Sequence, residues 1–109
     1  MTQAAGNVTV APNVLISIVR MALREVPGIA RLGSVPRART DVRGSEGVKL
    51  RMHDAGVSAD CYVVAHPDTN LLELGMATQA TVAAVIRELA GMTVHEINVY
   101  IQDVEASYA

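Results

Sequence analysis

The sequence has few of the features that mark secreted or membrane-spanning proteins. Its 109 residues include one cysteine and neither tryptophan nor phenylalanine. Cys61 alone cannot form an intramolecular disulfide, and residues 1–6 lack the basic start and apolar run of a secretory signal, so we expect a cytoplasmic protein in a reducing compartment. The longest strongly apolar run, residues 14–19, is far shorter than the roughly 20 residues that cross a bilayer. We therefore expect no direct membrane insertion.

Charged residues are also scarce, at 18 % of the chain, while half of the residues are hydrophobic and the mean hydropathy is +0.28. This composition excludes disorder, and the length predicts a single domain. Eight basic and three acidic side chains in residues 1–51 give a net +5, whereas one basic and eight acidic side chains in residues 52–109 give −7. Such asymmetry suits self-association or a charged partner, and it equally fits a solvated dipole without a function.

Hydrophobic periodicity predicts two helices. The first covers about residues 12–26, where a proline at the start loses only an unpaired donor. The second is expected to be capped by Asp68 or Thr69 and to run to about Ala90, with Gly91 as a left-handed C-cap. Its expected core stripe consists of Leu71, Leu74, Thr78, Val82, Val85 and Leu89.

Alternation of apolar and polar residues predicts the strands. Residues 48–53 and 57–66 alternate well and flank a tight turn, which predicts a hairpin. Residues 94–104 form a last strand, and residues 29–35 a less regular one. The resulting order α-β-β-β-α-β predicts an α+β fold, with a single small sheet of three to four strands and two helices packed on one face.

Helices on one face leave the opposite face of the sheet open. In the second hairpin strand, odd-numbered side chains such as Cys61 are then expected to point toward the helices and even-numbered ones toward water. Two of the three tyrosines fall on this open face. The candidate interaction surface consists of Lys49, Arg51, Asp60, Tyr62, Val64, Glu96, Asn98 and Tyr100.

The chain is expected to divide into one domain and two tails. Residues 1–7 are predicted to be a flexible tail, residues 8–104 the domain, and residues 105–109 a C-terminal tail. Within the domain, residues 36–46 are polar and basic without an apolar period, which predicts a mobile loop.

Four short segments resemble one known family when taken in order and at their spacing. They are Glu25-Val26-Pro27-Gly28-Ile29, Gly47-Val48-Lys49-Leu50, Leu89-Ala90-Gly91-Met92 and Ile97-Asn98-Val99. They resemble the alkaline shock protein family of Gram-positive and related bacteria, also called envelope stress response proteins, from about Val8 to Val104. Pro27 and the basic loop of residues 37–43 depart from the family pattern. The resemblance implies a small cytoplasmic protein that self-associates or docks on a membrane-anchored partner and supports envelope homeostasis, with no catalytic residues to carry over.

Metal binding and catalysis have weak support in the sequence. The three histidines and Cys61 lack ligand spacing on any single element, so we expect no metal and no cofactor. Asp60 and Glu96 could approach each other on the open face, but an exposed face supplies little of the desolvation that a catalytic acid or base requires. We expect cross-strand ion pairs there and no enzymatic activity.

RNA binding is the alternative hypothesis. Lys49 and Arg51 beside Tyr62 and Tyr100 resemble a stacking platform, and the basic loop could follow a phosphate backbone. The pI of about 5.8, the 3 % aromatic content and two carboxylates on the same face disfavour it. No DNA binding is expected. The favoured interpretation is a homo-oligomeric or partner-docking module in cell-envelope homeostasis.

Overall fold

The computed structural model describes residues 4–36 and 43–106. The sheet has five strands, and both helices lie on one face of it, which confirms the α+β class. The elements are α1 (Pro12–Glu25), β1 (Ile29–Leu32), β2 (Arg43–Ser45), β3 (Val48–His53), β4 (Gly56–Ala65), α2 (Leu71–Ala90) and β5 (Val94–Val104).

Strand β2 adds a short element to the predicted order. It falls within the segment expected to be a loop, and residues 37–42 of that segment lie outside the described residues. Parts of the two expected tails, residues 1–3 and 107–109, also lie outside them.

Helix α1 begins at Pro12, as its sequence predicts, because the ring fixes a helical φ and removes a donor that has no partner in the first turn. The helix ends at Glu25, before Pro27. Its buried stripe consists of Leu15, Ile16, Val19 and Leu23, so the wide apolar surface of this helix is mostly covered by its own domain.

Helix α2 starts later than predicted. Its N-cap is Asn70, whose side-chain oxygen accepts from the backbone N–H of Glu73 at 3.0 Å. Neither expected cap, Asp68 or Thr69, caps this helix. Asp68 has a left-handed φ of +62°, which belongs to the preceding turn rather than to a cap. At the other end, Gly91 has the predicted left-handed conformation, with a φ of +66°.

Strand β4 is the centre of the sheet. It pairs in parallel with β5 along one edge, and antiparallel with both β3 and β1 along the other. Strands β1 and β3 therefore lie end to end beside β4. Backbone bonds close their junction: Gly33 N donates to Tyr62 O at 2.7 Å, Tyr62 N to Gly47 O at 2.8 Å, and Gly47 N to Gly33 O at 3.1 Å.

The helix-covered side of β4 matches the predicted parity. Its odd-numbered side chains join the apolar core with residues of β3 and both helices, and Cys61 is fully buried. The prediction that the even-numbered side chains of β4 are exposed is wrong: Asp60 is 3 %, Tyr62 5 % and Val64 1 % exposed. The physical reason is that β4 has strands on both edges, and long side chains from those strands extend across it.

Candidate interaction surface

Asp60 is the polar centre of the open face. Arg51 of β3 donates to both of its carboxylate oxygens, Asn98 Nδ2 of β5 donates to its Oδ1 at 2.9 Å, and Lys49 Nζ lies 3.7 Å from its Oδ2. The strand register explains this convergence, because Asp60 lies between Lys49 and Asn98 on its two neighbours. Three of the predicted surface residues thus act together to cover a fourth.

The charge state of this cluster follows from its contacts. Burial by itself would raise the pKa of Asp60, but the hydrogen bonds from Arg51 and Asn98 and the positive charges of Arg51 and Lys49 outweigh it and hold that pKa below its ordinary value. The hydrogen bond to Asp60 raises the pKa of Arg51. Both groups are therefore ionised at neutral pH and bind each other.

Glu96 extends the cluster toward solvent. Its Oε1 lies 3.4 Å from a guanidinium nitrogen of Arg51, and about half of its side chain is exposed. Arg51 thus bridges Asp60 and Glu96, the two carboxylates that the sequence placed near each other. The geometry is that of the expected cross-strand ion pairs, in which a carboxylate is bound by a cation.

A tyrosine pair lies next to the charged cluster. The rings of Tyr62 and Tyr100 stack with centroids 4.9 Å apart and an interplanar angle of 12°, and Lys49 Nζ lies 5.9 Å from the Tyr62 centroid. Tyr62 is buried beneath this arrangement, whereas Tyr100 is 46 % exposed. Of the two predicted platform rings, only Tyr100 is available to a ligand.

Two further links cross the open face, and neither was predicted from the sequence. Gln102 of β5 reaches over β4 to Ser34, where its Oε1 accepts from Ser34 N and its Nε2 donates to Ser34 O, each at 2.8 Å. Arg31 of β1 forms an ion pair with Glu105, with Nε and Oε1 2.5 Å apart. Since Arg31 lies opposite Val64 in the register, this pair helps to cover Val64. Neither link has a local sequence signal, because its partners are 68 and 74 residues apart.

Most of the predicted surface residues contact one another on the open face. Among the eight predicted surface residues, Glu96 and Tyr100 are exposed, Lys49, Arg51 and Asn98 are half-buried, and Asp60, Tyr62 and Val64 are buried. The sequence therefore placed these residues on the correct face. It did not reveal that they cover one another.

Apolar side chains are exposed elsewhere, beside β5. Leu72 is 74 %, Met76 59 % and Leu71 42 % exposed at the start of α2, and with Val99 and Ile101 of β5 they line a groove of about 240 Å³. We call these five residues the β5-side strip. The prediction that Leu71 belongs to the core stripe is wrong, since the buried stripe of α2 begins at Leu74.

A second apolar groove lies on the outside of the helix pair. Met21 of α1 and Leu89 of α2, which are 65 % and 69 % exposed, contribute to its lining, and its volume is about 250 Å³. Leu89 was also predicted to be in the core stripe, and the structure shows it at the surface because the stripe ends at Ile86.

The described residues contain neither a group of metal ligands nor a membrane-spanning helix. In residues 4–36 and 43–106, no three histidine, cysteine, aspartate or glutamate side chains are grouped to hold a metal ion. His53 instead contacts Ser58, with Nε2 and Oγ 2.9 Å apart, and its ring meets that of His95 edge-on. Neither described helix has the length and apolarity needed to span a bilayer.

Burial raises the pKa of the Cys61 thiol to about 12, which makes it a poor nucleophile.

Comparison with known proteins identifies the family. The model of the ASP23 family, described as having a cell envelope-related function, matches residues 1–106. The chain belongs to this family. This ASP23 family chain is also 26 % identical over 106 residues to the uncharacterized protein YqhY of Bacillus subtilis (strain 168), an alignment that covers 92 % of this chain and 78 % of YqhY. The ASP23 family match confirms the resemblance to the alkaline shock protein family that the four sequence segments indicated.

Solved structures add information about the fold. The zinc form of a MamM CTD variant has a TM-score of 0.58 and 17 % sequence identity to the alkaline shock family chain, and the match covers 89 % of this chain and 90 % of that one. A second MamM CTD structure has a TM-score of 0.58 and 19 % identity, with 88 % and 99 % covered. At this identity the comparison shows a shared fold and nothing about a shared ligand.

Proposed function

We propose that this alkaline shock family chain is a non-enzymatic protein with a cell envelope-related function that works by binding proteins, first of all further copies of itself. The observation that carries the proposal is the exposure of Leu71, Leu72 and Met76 in the β5-side strip. Contiguous exposed apolar side chains next to a sheet edge are typical of protein interaction sites. The opposite charges of the two halves of the chain add a second contribution to self-association.

The charge state of the open face supports a structural role over catalysis. A general acid or base works best with a pKa near the operating pH. The pKa of Asp60 is held below its ordinary value, so this carboxylate stays ionised and bound to Arg51. We infer that the open face stiffens the sheet and leaves binding to other surfaces.

We further propose that the chain acts in the cytoplasm as part of an envelope stress response and reaches the membrane through a membrane-anchored protein. The family's cell envelope-related function supports a place near the envelope. Since neither described helix can span a bilayer, contact with the membrane would come from a partner. Cross-linking in cells, followed by membrane fractionation, tests this idea. Recovery of the chain in the membrane fraction without any cross-linked membrane protein would contradict it.

Sedimentation velocity of the purified protein across a range of concentrations tests self-association. We expect oligomers whose fraction rises with concentration and persists at about 0.5 M salt, because burial of apolar surface is not screened by ions. A single monomeric species at every concentration would overturn the proposal of self-association. Oligomers that dissociate with salt would instead assign the contact to the opposite charges of the two halves.

RNA binding is a second candidate that one observation favours. Tyr100 offers an exposed ring that stacks on Tyr62, and Lys49 lies over the ring of Tyr62. Arg51, a second cation of this face, is already neutralised by Asp60 and Glu96. Fluorescence anisotropy with labelled single-stranded RNA separates the two functions. Binding that weakens steeply with salt and is lost in Tyr100→Ala supports the RNA function, and the absence of binding contradicts it.

A further inference from the structure

The free edge of the sheet is long, and the middle of its strand carries no protective charge or proline. Strand β5 has eleven residues and pairs only with β4 among the described strands. Edge strands are commonly shielded by proline, lysine or a charge in the middle of the strand. In β5 the segment from Ile97 to Ile101 has neither proline nor any charged residue. This edge can therefore accept another strand.

Two bulges give β5 a symmetric pattern of faces. Its pairing with β4 shifts register near His95 and again near Gln102. On the helix side lie Val94, Ile97, Val99 and Ile101, which pack against the core, and Val104, which lies opposite Ala65. On the open side lie His95, Glu96, Asn98, Tyr100, Gln102 and Asp103. Two residues at equal distances before and after Val99 therefore always lie on the same face of the sheet.

This symmetry selects one register for a pair of β5 strands. Residues opposite each other in an antiparallel pair lie on the same face of the sheet. Antiparallel pairing about a two-fold axis at Val99 satisfies this condition for all eleven residues. Moving the axis by one residue in either direction sets helix-side residues such as Ile97 or Ile101 against open-side residues near the bulges.

The side chains paired in this register are also chemically compatible. The opposing pairs are Val94 with Val104, His95 with Asp103, Glu96 with Gln102, Ile97 with Ile101, Asn98 with Tyr100, and Val99 with itself. Apolar side chains meet apolar ones on the helix side, and polar ones meet polar ones on the open side. His95 can donate a hydrogen bond to Asp103, and no like charges face each other.

The β5-side strip supplies apolar area to the same interface. It borders β5 on the helix side, so a two-fold axis at Val99 brings the strips of two copies together. A strand of eleven residues is about 36 Å long, and the sheet and one helix layer are together about 20 Å deep. The contact area along β5 is therefore about 700 Å² on each copy, close to the roughly 800 Å² per partner of a stable interface.

We propose that a second copy of this chain docks on the free edge of β5, with the two β5 strands antiparallel about a two-fold axis at Val99. The sheet then continues from one copy into the other, and Leu72 and Met76 are covered. This interface rests on the self-association proposed above and states where it occurs.

Cysteine cross-linking tests the register. In Val99→Cys the two introduced thiols face each other at the axis, where opposing Cα atoms are about 4.5–5.5 Å apart, a distance that a disulfide spans. We expect mild oxidation to give a covalent dimer of Val99→Cys in high yield. Native Cys61 does not compete because it is fully buried. Leu89→Cys, which is well exposed on the other groove, serves as the control and should stay monomeric on a denaturing gel.

Two exposed positions at the ends of β5 sharpen the test. His95→Cys and Asp103→Cys should each give little dimer alone, because each residue lies about 26 Å from its own copy in this register. An equal mixture of the two variants should form the mixed disulfide. Dimer from either variant alone at the yield of the mixture would overturn the register.

A charge variant measures the same contact without oxidation. Val99→Lys sets two ammonium groups together at the axis and is expected to raise the dimer Kd at least about tenfold. Leu89→Lys should leave that Kd unchanged. Circular dichroism of the Val99→Lys monomer must match that of the wild type. If this variant misfolds, the mixture of His95→Cys and Asp103→Cys still tests whether the two β5 strands pair in this register.

The outcomes separate this interface from the proposed function. Wild-type oligomers that persist in Val99→Lys, with no disulfide in Val99→Cys, would place the interface elsewhere and leave self-association standing. A wild-type protein that is monomeric throughout would overturn both. A salt-tolerant dimer that is lost in Val99→Lys and trapped in Val99→Cys would support both.

Discussion

The two faces of β4 are buried to nearly the same extent, but by different means. On one face, two helices cover apolar side chains such as Val63 and Cys61. On the other, no described helix is present, and Asp60 and Tyr62 are covered by side chains that reach in from β1, β3 and β5. The first face depends on apolar packing, whereas the second depends on charge-assisted hydrogen bonds. The open face is therefore a second, polar core, whereas exposed apolar side chains lie beside β5 and on the exterior of the helices.

The largest effect is expected on the helix-covered face. Leu50 of β3 is fully buried, so Leu50→Ala leaves a cavity and should lower the free energy of unfolding by about 3 kcal/mol. Urea denaturation measures the loss, which should be similar at neutral and mildly acidic pH because no charge is involved. Leu89→Ala is the control, since Leu89 is 69 % exposed and should cost little. Equal losses in both variants would contradict the division between core and surface.

A smaller and pH-dependent effect is expected on the open face. Asp60→Asn removes the charge that Arg51 and Lys49 bind and should cost about 2 kcal/mol at neutral pH. The pKa of Asp60 is lower in the folded protein than its ordinary value of 3.8, so its stabilising effect is present above about pH 4 and is lost as pH falls through the folded pKa. Asp60→Asn should therefore lose less stability than the wild type between about pH 5 and about pH 2.

Urea denaturation of both proteins across that range checks the sign. An acid response in Asp60→Asn as steep as that of the wild type would show that other carboxylates dominate acid unfolding. The contrast with Leu50→Ala is the informative quantity, because only the open-face variant should change the pH profile.

The sequence could predict the faces of the sheet but not how the open one is covered. Alternation in β4 separates Cys61 from Asp60 correctly, because neighbouring side chains on a strand must point to opposite sides. The covering contacts join residues far apart in the chain, such as Asn98 with Asp60 and Gln102 with Ser34, 38 and 68 residues apart. They exist because β5 returns in parallel beside β4, and no local pattern specifies that strand order.

The free edge of β5 was even less predictable from the sequence than the faces of the sheet, because it also depends on strand order. Val99 reads as an ordinary inward-facing strand residue, and only the strand order shows that it lies on a free edge. The two bulges that make the faces of β5 symmetric are likewise set by its pairing with β4, at His95 and Gln102. Similarly, helical periodicity placed Leu71 in the core stripe, but the packing of α2 begins one turn later, at Leu74.

Gly33 provides a test of how tightly the open face is packed. A Cβ at this position would overlap the side-chain oxygen of Gln102 and lie 3.0 Å from the carbonyl carbon of Tyr62. Gly33→Ala should therefore displace Gln102, break its two bonds to Ser34 and cost about 1–2 kcal/mol. A double-mutant cycle with Gln102→Ala measures the coupling by urea denaturation. We expect Gly33→Ala to cost less once Gln102 is removed, and additive losses would contradict the contact between them.

The smallest effect is expected where the same kind of ion pair is exposed. Glu105 binds Arg31 across β4, and this hydrogen bond lowers the pKa of the glutamate, but both side chains are about half exposed. Exposed ion pairs contribute little because water and salt screen them. Glu105→Gln should leave the urea midpoint within error of the wild type at high salt and shift it only slightly at low salt. Asp60→Asn should lose stability under both conditions, because its carboxylate is buried. A loss in Glu105→Gln as large as that in Asp60→Asn would show that the cross-strand links, rather than the burial of their carboxylates, determine the stability of the open face.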